Sequence, residues 1–340
     1  MILALTMALS LAAPLRAGFY MPGEPPDLII EGGTVQPLPF SAFQLTLRNI
    51  LDINMPGSEP NLKYTQERDQ LLAKGASHLT VDEMVRLSAI WMRFRNVDKA
   101  FAELNTARQR DPRNFLVQSN LSLVEFIRGE PTALSDQAAT LSMRPSELPG
   151  LSKDQVAWFL KVERRFLDLQ KLRRAEQRAN GPRAPVEKWD DLFHVAFTGP
   201  SGEYEAGTIA DDQKQQLPAD AIATVQQLLI WLPDDARVYW LLAELYNATG
   251  NLPAAAAIFD DCLNARRFQP ELLKAHRRVV QEALTAKAAA NAPQPGKSWK
   301  DHPEVFWIAG GVVAVPLALL AYWQIREIAR RLRGVRPKQT

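Results

Sequence analysis

The residues that most often carry chemistry are sparse in this chain and badly spaced for it. The four histidines, His78, His194, His276 and His302, stand far apart, without the short intervals of a metal-ligand set. No His-Glu-x-x-His, Gly-x-Ser-x-Gly or haem-attachment pattern occurs. The paired carboxylates Asp211-Asp212, Asp234-Asp235 and Asp260-Asp261 each fall at a turn or helix end, where they cap and solvate. A Gly-Lys-Ser at 296–298 lacks the first glycine of a phosphate loop, since Asn291 occupies that place, and no strand precedes it. The single cysteine, Cys262, sits at a small-residue position of a helix and reads as a buried hydrophobe. These observations predict a non-catalytic protein with neither cofactor nor metal. With 340 residues and a net charge of +2, no global field calls for nucleic acid.

What such a chain can offer is surface, so its elements carry the argument. The strongest pattern is 236–269, two short amphipathic helices joined at Asn247-Ala248-Thr249-Gly250-Asn251. Tyr239, Leu242, Ala243, Tyr246, Ala255 and Phe259 fall in order on the signature places of a 34-residue tetratricopeptide repeat. The closing proline is absent, Arg267 standing in its place. Small residues let two helices cross closely, large ones fill the hole beside them, and Gly250 permits the left-handed exit from the first helix. Residues 81–114 place Leu87, Ser88, Trp91, Ala100, Leu104 and Pro112 in the same register. The next unit, 115–148, keeps only Leu121, Ser122 and Gly129.

Further helices are predicted over 41–53, 61–75, 152–179, 218–232 and 271–288, the last with His276, Arg277 and Arg278 outward. The helix 152–179 opens on a Ser152–Gln155 capping box. Its basic residues Lys161, Arg164, Arg165, Lys171, Arg173, Arg174 and Arg178 are interspersed with carboxylates over an apolar face, which reads as a solvated surface on a packed one. Between it and 218–232 lies an insertion at 190–217. Its alternating Phe193, Val195 and Phe197 read as a small β-hairpin, with a plain surface loop as the alternative.

The ends of the chain predict a membrane address. Residues 1–17 have the length and apolar core of a signal peptide, and a Pro-rich extended segment and first helix fill 18–60. The helical domain spans 61–290 and a linker 291–304. Val305 to Trp323 is an uncharged transmembrane helix, flanked by the basic tail 324–340. The positive-inside rule puts that tail in the cytoplasm and the large domain outside the inner membrane.

The whole resembles bacterial membrane-anchored tetratricopeptide-repeat proteins. That resemblance implies an all-α solenoid of stacked helical hairpins, with the β-hairpin insertion and one C-terminal transmembrane helix. It also implies a concave groove that holds a partner protein of the envelope or membrane. The groove-facing places would be Arg237, Trp240, Glu244 and Asn247, with Arg86, Arg93 and Asn120 in the earlier units. The expected function is an extracytoplasmic scaffold, bound to the bilayer through 305–323. Alternatives are a non-catalytic subunit or regulator of a membrane enzyme complex, and a cytosol-facing tail-anchored adaptor. No small-molecule substrate and no nucleic acid is indicated.

Overall fold

The computed structural model describes residues 30–31, 34–143, 145, 148, 151–181 and 184–291. The expected signal peptide, nearly all of the linker, the transmembrane helix and the basic tail lie outside the described residues. Met1–Leu284 forms one compact unit and Thr285–Thr340 a second, of which 285–291 is described and helical. Among the described residues no helix is long and apolar enough to cross a membrane.

A two-residue ladder opens the described chain, β1 (Ile30–Glu31) antiparallel to β2 (Thr34–Val35). Among the described residues everything regular after it is helical. The helices α1 (Phe40–Asp52) and α2 (Glu59–Ala73) precede a short 3₁₀ turn at Ala76–His78. Three helical pairs follow the repeat pattern or its neighbourhood: α3 (Val81–Arg93) with α4 (Val97–Arg110), α5 (Phe115–Arg128) with α6 (Ala133–Ser142), and the 28-residue α7 (Lys153–Asn180) with α9 (Ala221–Trp231), the short α8 (Asp211–Gln216) lying between those two. The series closes with α10 (Ala236–Ala248), α11 (Leu252–Asn264) and α12 (Glu271–Asn291). Each helix from α2 to α7 packs on its predecessor, α9 packs on both α7 and α10, and α1 packs on α9. The stack is therefore tied to its own first helix.

Local chemistry explains the repetition. Side-chain caps start the helices: Thr80 and Ser152 complete capping boxes with Glu83 and Gln155, and Asn96, Asn114, Asp235 and Asn251 accept from the first turns of α4, α5, α10 and α11. The first helix of each repeat ends the same way. Arg95, Gly129 and Gly250 adopt positive φ of 56°, 72° and 81°. Their N–H groups reach back three residues, to Met92, Phe126 and Asn247, and the next N–H reaches back five, to Trp91, Glu125 and Tyr246. That is a Schellman cap used three times. Between the caps the signature places are core: Leu87, Ser88, Ala100, Leu104, Leu121, Ser122, Leu242, Ala243, Ala255 and Phe259 are wholly enclosed.

The insertion is not a β-hairpin. No strand forms among residues 190–217; the chain runs as an irregular loop into α8. His194 takes a positive φ of 54°, which breaks the pleat that alternation would need. The only hairpin-like features are a turn in which Gly199 N–H donates to the Glu203 carbonyl at 2.7 Å and a single bond from Ala210 N–H to the Thr198 carbonyl. The alternation has another cause. Leu192, Phe193, Val195, Phe197 and Ile209 are buried, whereas His194 and Ala196 are exposed, so the loop lays one edge into the helical core.

Candidate protein-interaction site

The four groove places of the best repeat do converge, one helical turn apart along the inner face of α10. They do not line an open groove. Trp240, Glu244 and Asn247 are wholly buried, and the Arg237 side chain is 12 % exposed. The concave face predicted to hold a partner is filled by the chain's own insertion and by α12. Arg237 sends its guanidinium to Glu176 of α7 and to Asp190 of the insertion, at 2.5 and 3.2 Å. Trp240 Nε1 donates to Glu244 Oε1 at 2.6 Å, and His276 Nδ1 lies 2.8 Å from that same oxygen. His276 is thus buried, not outward, because α12 turns this face onto α10. The Tyr204 ring stacks on its imidazole with centroids 3.5 Å apart, and burial followed by the Glu244 carboxylate raises the Tyr204 hydroxyl pKa. Asn247 reads the backbone of the insertion as an amide would in a sheet: its Nδ2 donates to the Glu205 carbonyl at 2.9 Å, and its Oδ1 accepts from Gly207 N–H at 2.8 Å.

Magnitude decides whether that filling is permanent. Leu192, Val195, Phe197 and Ile209 are each at most 2 % exposed. At about 1.5–3 kcal/mol for each such side chain, the loop is held by roughly 6–12 kcal/mol of apolar burial. A peptide competing for the same face would have to replace all of it. The ion cluster beneath the loop adds to this. Arg173 of α7 bonds Asp190 and Asp235, each at 2.7 Å, and Asp235 also caps α10 through the N–H groups of Arg237 and Val238. Burial alone would raise the Asp235 carboxyl, but Arg173 and those two N–H groups outweigh it and hold it below the ordinary carboxylate range.

The other predicted groove residues are not brought to this place. Arg86 pairs with Glu67 of α2, so it fastens α2 to α3. Asn120 is buried within α5. Arg93, 4 % exposed, reaches across to α9, where its terminal nitrogens approach the Ile230 carbonyl at 3.4 and 3.5 Å. Beside it the ends of α3, α5 and α9 and the flank of α7 leave a cavity of about 550 Å³. A smaller one of about 360 Å³ lies on the other side of Arg173 and Asp235. The lone thiol, Cys262, is pushed up to about 12 by burial, which suits a packing role and not a nucleophile. Among the described residues no group of three or more His, Cys, Asp or Glu side chains is placed to hold a metal ion.

Comparison with known families settles the character of the C-terminal helices. Residues 214–279 match the tetratricopeptide repeat family. The chain contains a tetratricopeptide repeat. The matched stretch runs from within α8 to within α12 and takes in the pair α10–α11 whole. No curated protein and no solved structure matches the chain. Tetratricopeptide repeats generally serve as scaffolds for protein partners, so a protein partner is consistent with this segment. The residues that sequence reading missed are those that close its concave face, Trp189, Asp190 and Tyr204. They sit in an aperiodic stretch whose position over α10 no local pattern encodes; only the odd combination of aromatic residues and a carboxylate between prolines marks it out.

Proposed function

We propose that this protein is a membrane-anchored tetratricopeptide scaffold of the bacterial envelope, holding a partner protein beside the inner membrane. The tetratricopeptide match at 214–279 carries the scaffold part of this reading. The uncharged stretch 305–323 followed by a basic tail supports the anchor, and the apolar residues 1–17 support export of the large domain. Because the concave face of α10 is filled, the partner meets the repeat through what the insertion displays. Its turn Pro200-Ser201-Gly202-Glu203 is exposed, while Phe197, Gly199 and Ile209 to either side are buried. A rigidly held exposed turn is a suitable recognition element.

The test is site-specific photocrosslinking in cells at Ser201, with exposed Asp154 at the start of α7 as control. A discrete adduct from Ser201 and none from Asp154 is expected. Equal adducts from both, or none from Ser201, would remove the turn as the contact. Protease treatment of intact spheroplasts tests the topology separately: digestion of the helical domain from outside is expected. Complete protection would turn the reading into a cytosol-facing, tail-anchored adaptor.

A further inference from the structure

No residue of the insertion lines the cavity of about 550 Å³ between α3, α5, α7 and α9. Its apolar lining is Met92, Val97, Phe126, Trp231 and Leu232, with Ile127 39 % exposed among it. That volume, with apolar side chains beside Arg93, Arg95, Arg173, Gln177, Asp234 and Asp235, suits a small organic ligand that carries a charge. Of the deeper charges, Arg173 is engaged by Asp190 and Asp235, and Arg93 approaches the Ile230 carbonyl. The exposed charge belongs to Arg95 and Asp234, paired at 2.8 Å with side chains 58 % and 61 % exposed.

Arg95 is the anomaly. It occupies the left-handed cap that Gly129 and Gly250 fill in the other repeats, with the same two backbone bonds. A side chain there is strained where glycine is not. An exposed ion pair returns little against that strain, and less in salt. Folding alone therefore favours glycine at this position, yet an arginine stands there with its side chain on the cavity lining.

We propose that this cavity binds a small apolar monoanion, an aromatic or medium-chain aliphatic carboxylate. Its hydrocarbon lies on Phe126 and Trp231, and its carboxylate displaces Asp234 from Arg95. The exchange loses only a weak exposed pair and gains a charge-assisted bond beside an apolar wall.

Calorimetric titration of the full-length protein with indole-3-propionate and with octanoate tests this, using tryptamine as a probe of like ring and opposite charge. At least one of the two acids is expected to bind saturably at one site, and tryptamine at least about tenfold more weakly. Arg95→Gly is expected to weaken the acid at least about tenfold while its thermal midpoint stays level or rises, because the cap strain is relieved. A structural role alone would not split stability from binding in that direction. Val97→Trp, which fills the lining, serves as an independent block and is expected to abolish binding. No saturation by either acid below about 5 mM, equal affinity for tryptamine, or unchanged binding in Arg95→Gly or Val97→Trp would each overturn the proposal.

Discussion

Glu125 shows how a residue inside a repeat departs from what its sequence suggests. It lies on α5, 3 % exposed, beside Asp136 of α6. Burial first, and then the hydrogen bond with Asp136, raise its carboxyl from 4.5 to about 7. Between those values the folded chain keeps a proton that the unfolded chain has released, so stability falls as pH rises from about 4.5 to about 7. We expect a loss on the order of 1 kcal/mol across that window after allowing for solvent screening. In Glu125→Gln the slope should flatten and stability above pH 7 should rise, as read from urea midpoints against pH. A parallel slope in the variant would assign the loss to another group. Asn247 is the complementary case. It was legible as a first-helix face position, but its ligand was not, because the ligand is the chain's own backbone forty residues away. Asn247→Ala strands the Glu205 carbonyl and the Gly207 N–H, and a loss of about 2 kcal/mol is expected in the same urea measurement.

At the level of elements, periodicity and capping reveal helices and say little about loops. The pair α5–α6 forms although its sequence keeps only Leu121, Ser122 and Gly129 of the pattern, because a Schellman cap and two small or aliphatic core places suffice to turn and close a hairpin. The insertion is the opposite case. Period-two alternation of Phe193, Val195 and Phe197 is real, but it reports one buried edge, which a strand and a core-packed loop share. What distinguishes them, a positive φ at His194 and contacts to α7, α10 and α12, is set by tertiary packing. The distinction has a measurable consequence. If the loop is core, Phe197→Ala should cost about 3–5 kcal/mol and the protein should still unfold in one step. If it were an appended lid, the loss would be small, and trypsin would cut after Lys188 without lowering the thermal midpoint.

For the molecule as a whole, the deciding contacts are those farthest apart in sequence. Gln226 of α9 holds Leu38 from both sides, its Nε2 donating to the carbonyl at 3.0 Å and its Oε1 accepting from the N–H at 2.8 Å. Pro37 and Pro39 flank that residue, so Leu38 offers the only backbone donor of the three, and the amide takes it. Phe40 then meets Tyr246 edge to face at 5.4 Å, and α1 settles on α9. An open solenoid distributes stability among neighbours and can fray from its ends. Here the N-terminal helix is pinned to the tetratricopeptide segment 188 positions later, which should make the helical unit unfold as one. Gln226→Leu removes both bonds and the one that its Nε2 donates to the Tyr246 hydroxyl at 2.9 Å, while keeping an apolar body of similar size, and it takes a partner from two backbone groups and that hydroxyl. We expect a loss of about 2–4 kcal/mol in global stability. Amide exchange in α1 should accelerate in step with exchange in α10. Faster exchange confined to α1, at an unchanged urea midpoint, would instead mean that α1 is a separable strap. The solenoid would then keep a free edge next to α9, and the partner search would have to include that face.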